Sequence, residues 1–319
     1  MTNPLKQANK QKPYRLLETA DGAMEIRSAK AYLYLLPAAA VLFLFVLYPL
    51  VSIMRSAFYE KYVFITNTGS GFGWASFKFV LHDKNFWLAA RNTGILLGVG
   101  LPVTLILALA SALLINSIKK LQGFFQTIFF LPYVTSTIAI GAAFLWLFHS
   151  QYGYFNYFLN LLGISSKEWL TNTKLVPWTL CLFCIWNGLA FKIVLFLAGL
   201  QKINGQVYQA ARIDGASKTR TLFRITLPLL RPTTWMVTLV SVIYVARTFN
   251  EVYSLFTSYL ATTAGPSNSA MTLMYYVYWM FYQKQKVNYA AAAAILLLAA
   301  IILITAVQRV ISKKFVHYV

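Results

Sequence analysis

The sequence predicts an all-α integral membrane protein of six transmembrane helices, with a basic cytoplasmic loop between the fourth and fifth. Three observations predict it. The 319 residues are 59% hydrophobic and only 11% charged, with a mean hydropathy of +0.60, too apolar for a soluble domain of this length. Six stretches reach the roughly 20 apolar residues that a helix needs to cross the hydrocarbon core. The alternating pattern of a membrane barrel is absent, which leaves helices as the spanning form because every backbone group must be satisfied internally.

The first span, Ala31 to Met54, is too long for the apolar core of a signal peptide and lacks a convincing cleavage site, so it is expected to remain as an anchor. The others are Thr93 to Ile118, Phe124 to Phe148, Val176 to Leu200, Thr233 to Phe256 and Val287 to Ile311. Residues 1–30 mix Lys with Gln, Asn and Pro and read as a basic cytoplasmic tail, mobile or lying on the surface, rather than a domain. No Gly/Ser-rich linker divides residues 31–319, which read as one six-span domain.

Of the 28 Lys and Arg residues, 17 lie on the side of the termini and of the loop at 201–232, against 9 on the other. By the positive-inside rule both termini and that loop are cytoplasmic. A net charge of +20 would suggest nucleic acid in a soluble protein. Here orientation and contact with anionic membrane lipid account for it, and no nucleic-acid partner is expected.

Several chemistries find no support. Cys181 and Cys184 form a C-x-x-C deep in the fourth span without a second pair or a nearby His, so they read as inert packing residues. His82, His149 and His317 are scattered over three regions, and no metal site follows. No Ser-His-Asp set falls in one locality, and no Gly-x-x-x-x-Gly-Lys-Ser/Thr loop is present. The chain is not expected to be an enzyme or to split ATP.

The loop holds Tyr208-Gln209-Ala210-Ala211-Arg212-Ile213-Asp214-Gly215-Ala216, then Ile225-Thr226-Leu227-Pro228 leading into the fifth span. It reads as two short helices reversing at Asp214-Gly215. Ala210 and Ala211 keep the first helix thin, and Leu222, Phe223, Ile225 and Leu227 give the second an apolar surface. This order of residues closely resembles the "EAA" loop in the membrane subunits of binding-protein-dependent ABC importers. Leu36-Pro37, Tyr48-Pro49-Leu50, Phe130-Leu131-Pro132-Tyr133, Tyr152-Gly153 with Asn156, and Trp186-Asn187-Gly188 resemble the permeases of the maltose and glycerol-phosphate type. So do Ala198-Gly199-Leu200, Ala264-Gly265-Pro266 and Asn288-Tyr289-Ala290-Ala291-Ala292, and the likeness runs from about Leu33 to Lys314. Gln209 stands where that family usually has Glu, and Ala264 where it has Gly.

The resemblance implies a coupling helix, carried by Tyr208, Gln209, Ala210, Ala211, Asp214, Gly215 and Ala216, that docks into a separate ATPase. It implies a second homologous permease subunit, two ATP-binding subunits and an extracytoplasmic solute-binding protein in a bacterial cytoplasmic membrane. No cofactor is bound by the chain itself, and ATP and Mg belong to the partner ATPases. The implied cargo is a sugar, most naturally an oligosaccharide, with its charge left open.

Ionisable residues inside spans cost roughly 2.5 to 3.5 kcal/mol each on insertion scales, which singles out Lys192, Arg247 and Glu251. On a continuous helix Arg247 and Glu251 would pair, with Tyr244 and Thr248 on the same face and Ser241 one turn below. On the fourth span Cys184, Asn187, Gly188 and Phe191 repeat that spacing. Polar and aromatic stripes of this kind suit a sugar path, since rings stack on aromatics and hydroxyls need partners. Helix packing alone also uses such stripes. The competing class is a secondary transporter or channel driven by an ion gradient. That class calls for intramembrane acids and usually an internal repeat, whereas Glu251 is the one acid within a span and no repeat is evident.

Overall fold

Helices also form outside the six apolar stretches, and two of the spans prove bent or broken. The computed structural model describes residues 32–63, 66, 68–118, 120–257 and 263–315. The predicted tail at 1–30 and Ala31 lie outside the described residues. The chain forms two compact units, residues 1–55 and 56–319. The first contributes most of α1 (Tyr32–Ala57), a single apolar helix with a π turn at Phe43–Leu47.

The second unit opens with a short antiparallel hairpin, β1 (Tyr59–Val63) and β2 (Thr68–Phe72), pairing Tyr59 with Phe72. Then come α2 (Ala75–His82) and α3 (Lys84–Ser117), the second span. The Asp83 side chain accepts the Asn85 N–H at 2.9 Å, an N-cap that satisfies a free donor at the start of α3. The third span is two helices, α4 (Gln122–Val134) and α5 (Thr137–Leu147), bent by 95°. Pro132 removes one donor from α4, Thr135 turns extended, and its hydroxyl takes over the Leu131 carbonyl at 3.0 Å.

After α6 (Tyr154–Leu161) the fourth span, α7 (Val176–Gln201), runs unbroken. At 26 residues it is ~39 Å long, enough to cross the ~30 Å core. It packs most extensively on α3, where Ala108 and Ala112 lie one turn apart and fully buried. Small side chains there let the two backbones approach closely. The connection carries α8 (Gly205–Ile213) and α9 (Lys218–Leu229), followed across a 62° bend by α10 (Arg231–Ala246). With 16 residues α10 is only ~24 Å long, and the fifth span resumes as α11 (Asn250–Val252) and a π turn at Tyr253–Thr257. α12 (Leu273–Tyr278) and α13 (Val287–Phe315) complete the fold, α13 being the sixth span.

Two motifs of the sequence turn out to hold connections between the spans. Asn156 donates to the carbonyls of Ser150 and Lys167 at 2.8 and 2.9 Å and accepts from Lys167 N–H and Trp169 Nε1 at 3.0 and 2.9 Å. Asn288 donates to the Glu60 carbonyl at 3.0 Å and to Ser76 Oγ at 3.1 Å, and Tyr289 stacks on Phe79 with centroids 4.1 Å apart. Tyr276 Oη donates to Asp83 at 2.7 Å, and burial together with that carboxylate pushes the phenol above its usual range. Asn156→Ala should lower stability by about 2 kcal/mol, because Trp169 and three main-chain groups lose a buried partner. Thermal unfolding of the detergent-solubilised chain measures it, and an unchanged midpoint would remove Asn156 from this role.

Candidate functional site

The fifth span does not keep the helix that its spacing predicts. α10 closes with tight bonds from Arg247 N–H to the Tyr244 carbonyl and from Thr248 N–H to the Val245 carbonyl, both 3.1 Å. The Thr248 carbonyl, released from the helix, accepts the Thr272 hydroxyl at 2.6 Å. Phe249 then adopts φ −135° before α11 begins. The expected pairing of Arg247 with Glu251 along one face is therefore corrected: Arg247 is exposed outside the helix, while Thr248 and Glu251 are buried.

The break brings other residues together. Tyr244 Oη donates to Glu251 Oε1 at 2.8 Å, and Asn187 Nδ2 of α7 donates to the same oxygen at 3.2 Å. Asn187 Nδ2 also lies 3.4 Å from Tyr244 Oη. Lys192 is 4% exposed, donates to the Gly188 carbonyl at 2.9 Å and sits 5.8 Å from the centroid of the Tyr244 ring. An amine and a carboxyl group, both inside the fold, thus flank one phenol. Gly188 makes room for this, since a Cβ there would stand 2.8 Å from Lys192 Nζ. Phe191 stacks on Tyr133 of α4 at 5.3 Å, and Tyr133 and Tyr244 each keep nearly half their surface open. Ser241 is buried one turn below Tyr244.

Asn187, Gly188, Tyr244 and Glu251 are therefore in one cluster with Lys192, and Phe191 adjoins it. Arg247 and Thr248 take no part through their side chains. Tyr133 was not singled out by spacing, although the Phe130-Leu131-Pro132-Tyr133 motif and its helix-ending proline were a signal. Cys181 packs beside Gly100 and Cys184 is half-buried; both are free thiols. Among the described residues no group of three His, Cys, Asp or Glu side chains gathers to hold a metal.

At the other end of α7, the loop is built as two capped helices. Asn204 caps α8, accepting the Gln206 N–H at 3.0 Å, and Ser217 caps α9, accepting the Arg220 N–H at 3.3 Å. Between them, Gly215 takes φ +70°, with Gly215 N–H bonded to the Arg212 carbonyl and Ala216 N–H to the Ala211 carbonyl. This is a Schellman ending, which glycine adopts without the penalty a Cβ brings. The hydroxyls of Tyr208 and Thr226 share a hydrogen bond at 3.3 Å that ties α8 to α9.

The loop expectation needs one adjustment. Ala211 is 6% exposed and faces inward, so it thins the contact within this chain; Gln209 and Ala210 face out. Ile213, on the last turn of α8, is 87% exposed and went unnoticed in sequence. The signal was available: an isoleucine next to Arg212, off the Tyr208–Ala211 face of the helix.

The family model for the binding-protein-dependent transport system inner membrane component matches residues 100–317. The chain belongs to that family. This permease is 31% identical over 248 residues to the sulfoquinovosyl glycerol transport system permease protein SmoG of Agrobacterium fabrum, covering 78% of this chain and 79% of that one. It is 31% identical over 251 residues to the lactose transport system permease protein LacF of Rhizobium radiobacter, covering 77% and 81%. It is 31% identical over 257 residues to the arabinooligosaccharides transport system permease protein AraP of Bacillus subtilis, covering 79% and 78%. A solved bacterial ABC transporter involved in import of the acidic polysaccharide alginate contains a chain of the same fold, with a TM-score of 0.74 at 23% identity over 95% of the permease and 100% of that chain. The permease is thus a multi-pass membrane subunit of an ABC importer, with six helical spans.

Proposed function

We propose that the permease forms the translocation path of an ATP-driven importer for a sugar, with oligosaccharides the favoured class. The observation that carries this reading is the cluster between the middle of α7 and the break after α10, where a half-open tyrosine sits over a buried carboxyl, amide and amine. Tyr244 and the Phe191–Tyr133 stack offer faces for sugar rings, while Asn187, Glu251 and Lys192 offer donors and acceptors. The relatives carry lactose and arabinooligosaccharide names, which supports the saccharide class. Ser241 lies below the path, and Arg247 and Thr248 belong to the broken helix end beside it, with Thr248 buried.

A second, homologous permease subunit closes the path, a solute-binding protein delivers the sugar from outside, and two ATPases bind ATP and Mg. The termini and the loop at 201–232 face the cytoplasm, and Tyr208, Gln209, Ala210, Ala211, Asp214, Gly215 and Ala216 build the dock for the ATPases. ATP does not touch this chain, so its free energy arrives through that dock. A ligand shifts a two-state equilibrium only through differential contacts, and ATPase closure supplies them by moving α8 and α9 as a unit.

The test is uptake of a panel of radiolabelled mono- and oligosaccharides by the assembled importer. Tyr244→Ala and Asn187→Ala should each lower uptake roughly tenfold while leaving subunit assembly intact, the loss of one or two hydrogen bonds and a stacking face. Normal transport by both variants would take these residues out of the path.

A further inference from the structure

Between the fifth and sixth spans the chain makes a turn at 264–272 that closes on itself. Ala270 N–H bonds to the Ala264 carbonyl at 2.8 Å and Asn268 N–H to the Gly265 carbonyl at 3.1 Å. Gly265, Ser267 and Asn268 take φ +77°, +53° and +60°, and the two L-residues among them keep such angles only where their surroundings hold them. The second span does the holding. From α3, Asn92 Nδ2 donates to the carbonyls of Ser269 and Met271 at 2.7 and 2.9 Å, and Thr93 Oγ1 accepts the Leu273 N–H at 3.0 Å. Asn92 and Thr93 are both buried, so the turn and this part of α3 are fastened together without water between them.

Thr272 ties the same turn to the break in the fifth span. Its fully buried hydroxyl accepts the Tyr275 N–H at 3.3 Å, capping α12, and gives its single hydrogen to the Thr248 carbonyl at 2.6 Å. In an unbroken helix that carbonyl would accept the N–H four residues on. The break decides where Glu251 stands. On an unbroken helix Tyr244 and Glu251 would be ~10.5 Å apart along the axis, with the tyrosine leaning toward the helix N-terminus, away from the carboxyl group. Here Tyr244 Oη meets Glu251 Oε1 at 2.8 Å.

We propose that Thr272 is a positioning residue for the sugar path. Its bond to the Thr248 carbonyl keeps the fifth span broken, which sets Glu251 against Tyr244 and Asn187, and the turn links the position of α3 to that cluster. Among the described residues the Thr272 hydroxyl bonds only to Thr248 and Tyr275, so it acts on the cluster through the backbone. This role rests on the sugar path proposed above and adds what fixes its geometry.

The test combines amide hydrogen exchange of the full chain in lipid discs with saccharide uptake by the assembled importer. Asn250, Glu251 and Val252 begin α11, and N–H groups in a first turn have no partner within their own helix. T272V keeps the size of the side chain and removes the hydroxyl. Exchange at those three amides should slow about tenfold as the helix closes, and the KM for uptake should rise about tenfold. T272S keeps the hydroxyl and should behave as wild type in both. N92A leaves Thr272 in place but frees the turn from α3, and should raise KM about threefold. S269A, on the same turn, should change neither, because its hydroxyl has no partner in the fold. Wild-type exchange in T272V overturns the role, and so does a lower maximal rate at unchanged KM, which would leave Thr272 a cap for α12 alone. Should T272V not assemble, a raised KM in T272S or a wild-type KM in N92A overturns it instead. Slowed exchange with unchanged KM refutes this inference while leaving the sugar path standing. Absence of saccharide uptake by the wild-type importer refutes the reading beneath it, and the exchange of T272V still decides whether the hydroxyl holds the break.

Discussion

Glu251→Ala should lower the stability of the permease by about 3 kcal/mol and reduce uptake to near background, since breaking a buried polar network by removing one partner strands the others. Tyr244 Oη and Asn187 Nδ2 share Oε1 as their acceptor, and without it each retains only the other at 3.4 Å. Lys192 would remain inside the fold with the Gly188 carbonyl as its one hydrogen-bond acceptor. Glu251→Gln keeps an acceptor oxygen and should recover most of the stability but not the uptake. Adding Lys192→Met to Glu251→Ala should also restore stability, because no buried amine is then left without its acidic neighbour. Thermal unfolding and uptake of the same four proteins separate these effects. If Glu251→Ala unfolds at the wild-type temperature, the cluster is not the network described.

Ile213→Glu should weaken association with the ATPase subunits by roughly thirtyfold, the size of an interface hot spot worth about 2 kcal/mol. An 87%-exposed isoleucine packs on almost nothing within this chain, so the substitution should leave the fold intact. Gly215→Val acts differently. It forces a β-branched residue to φ +70°, misaligns α8 against α9, and should reduce coupling even though a Cβ there meets no neighbour. Co-purification of each variant with the ATPases measures both. Wild-type association for Ile213→Glu would show that another face of α8 docks.

The six apolar runs were legible because length and composition alone decide whether a helix can span the core, and the family loop because its residue order is dense. The bend in the third span was announced by Pro132, yet a proline says only that one bond is missing. The large angle depends on Thr135 turning extended. The break at Arg247–Phe249 was invisible: residues 244 to 251 have faultless helical spacing, and the helix stops because the Thr272 hydroxyl, far along the chain, takes the Thr248 carbonyl. Misplacing Arg247 followed directly from that. Asn187, Tyr244 and Glu251 nevertheless come together in the fold, as costly or polar residues inside a span find one another wherever the backbone turns. The hairpin at Tyr59–Phe72 was missed, as its glycines and short alternation look like any loop between spans.

The central claim is that this chain moves solute on energy received through α8 and α9. Uptake into proteoliposomes of the assembled importer tests it most directly, with ATP supplied on the ATPase side and ion gradients collapsed by ionophores. The account predicts uptake that follows ATP, ignores the ionophores and collapses with Ile213→Glu. Uptake that persists without ATP and vanishes with the ion gradient would contradict it.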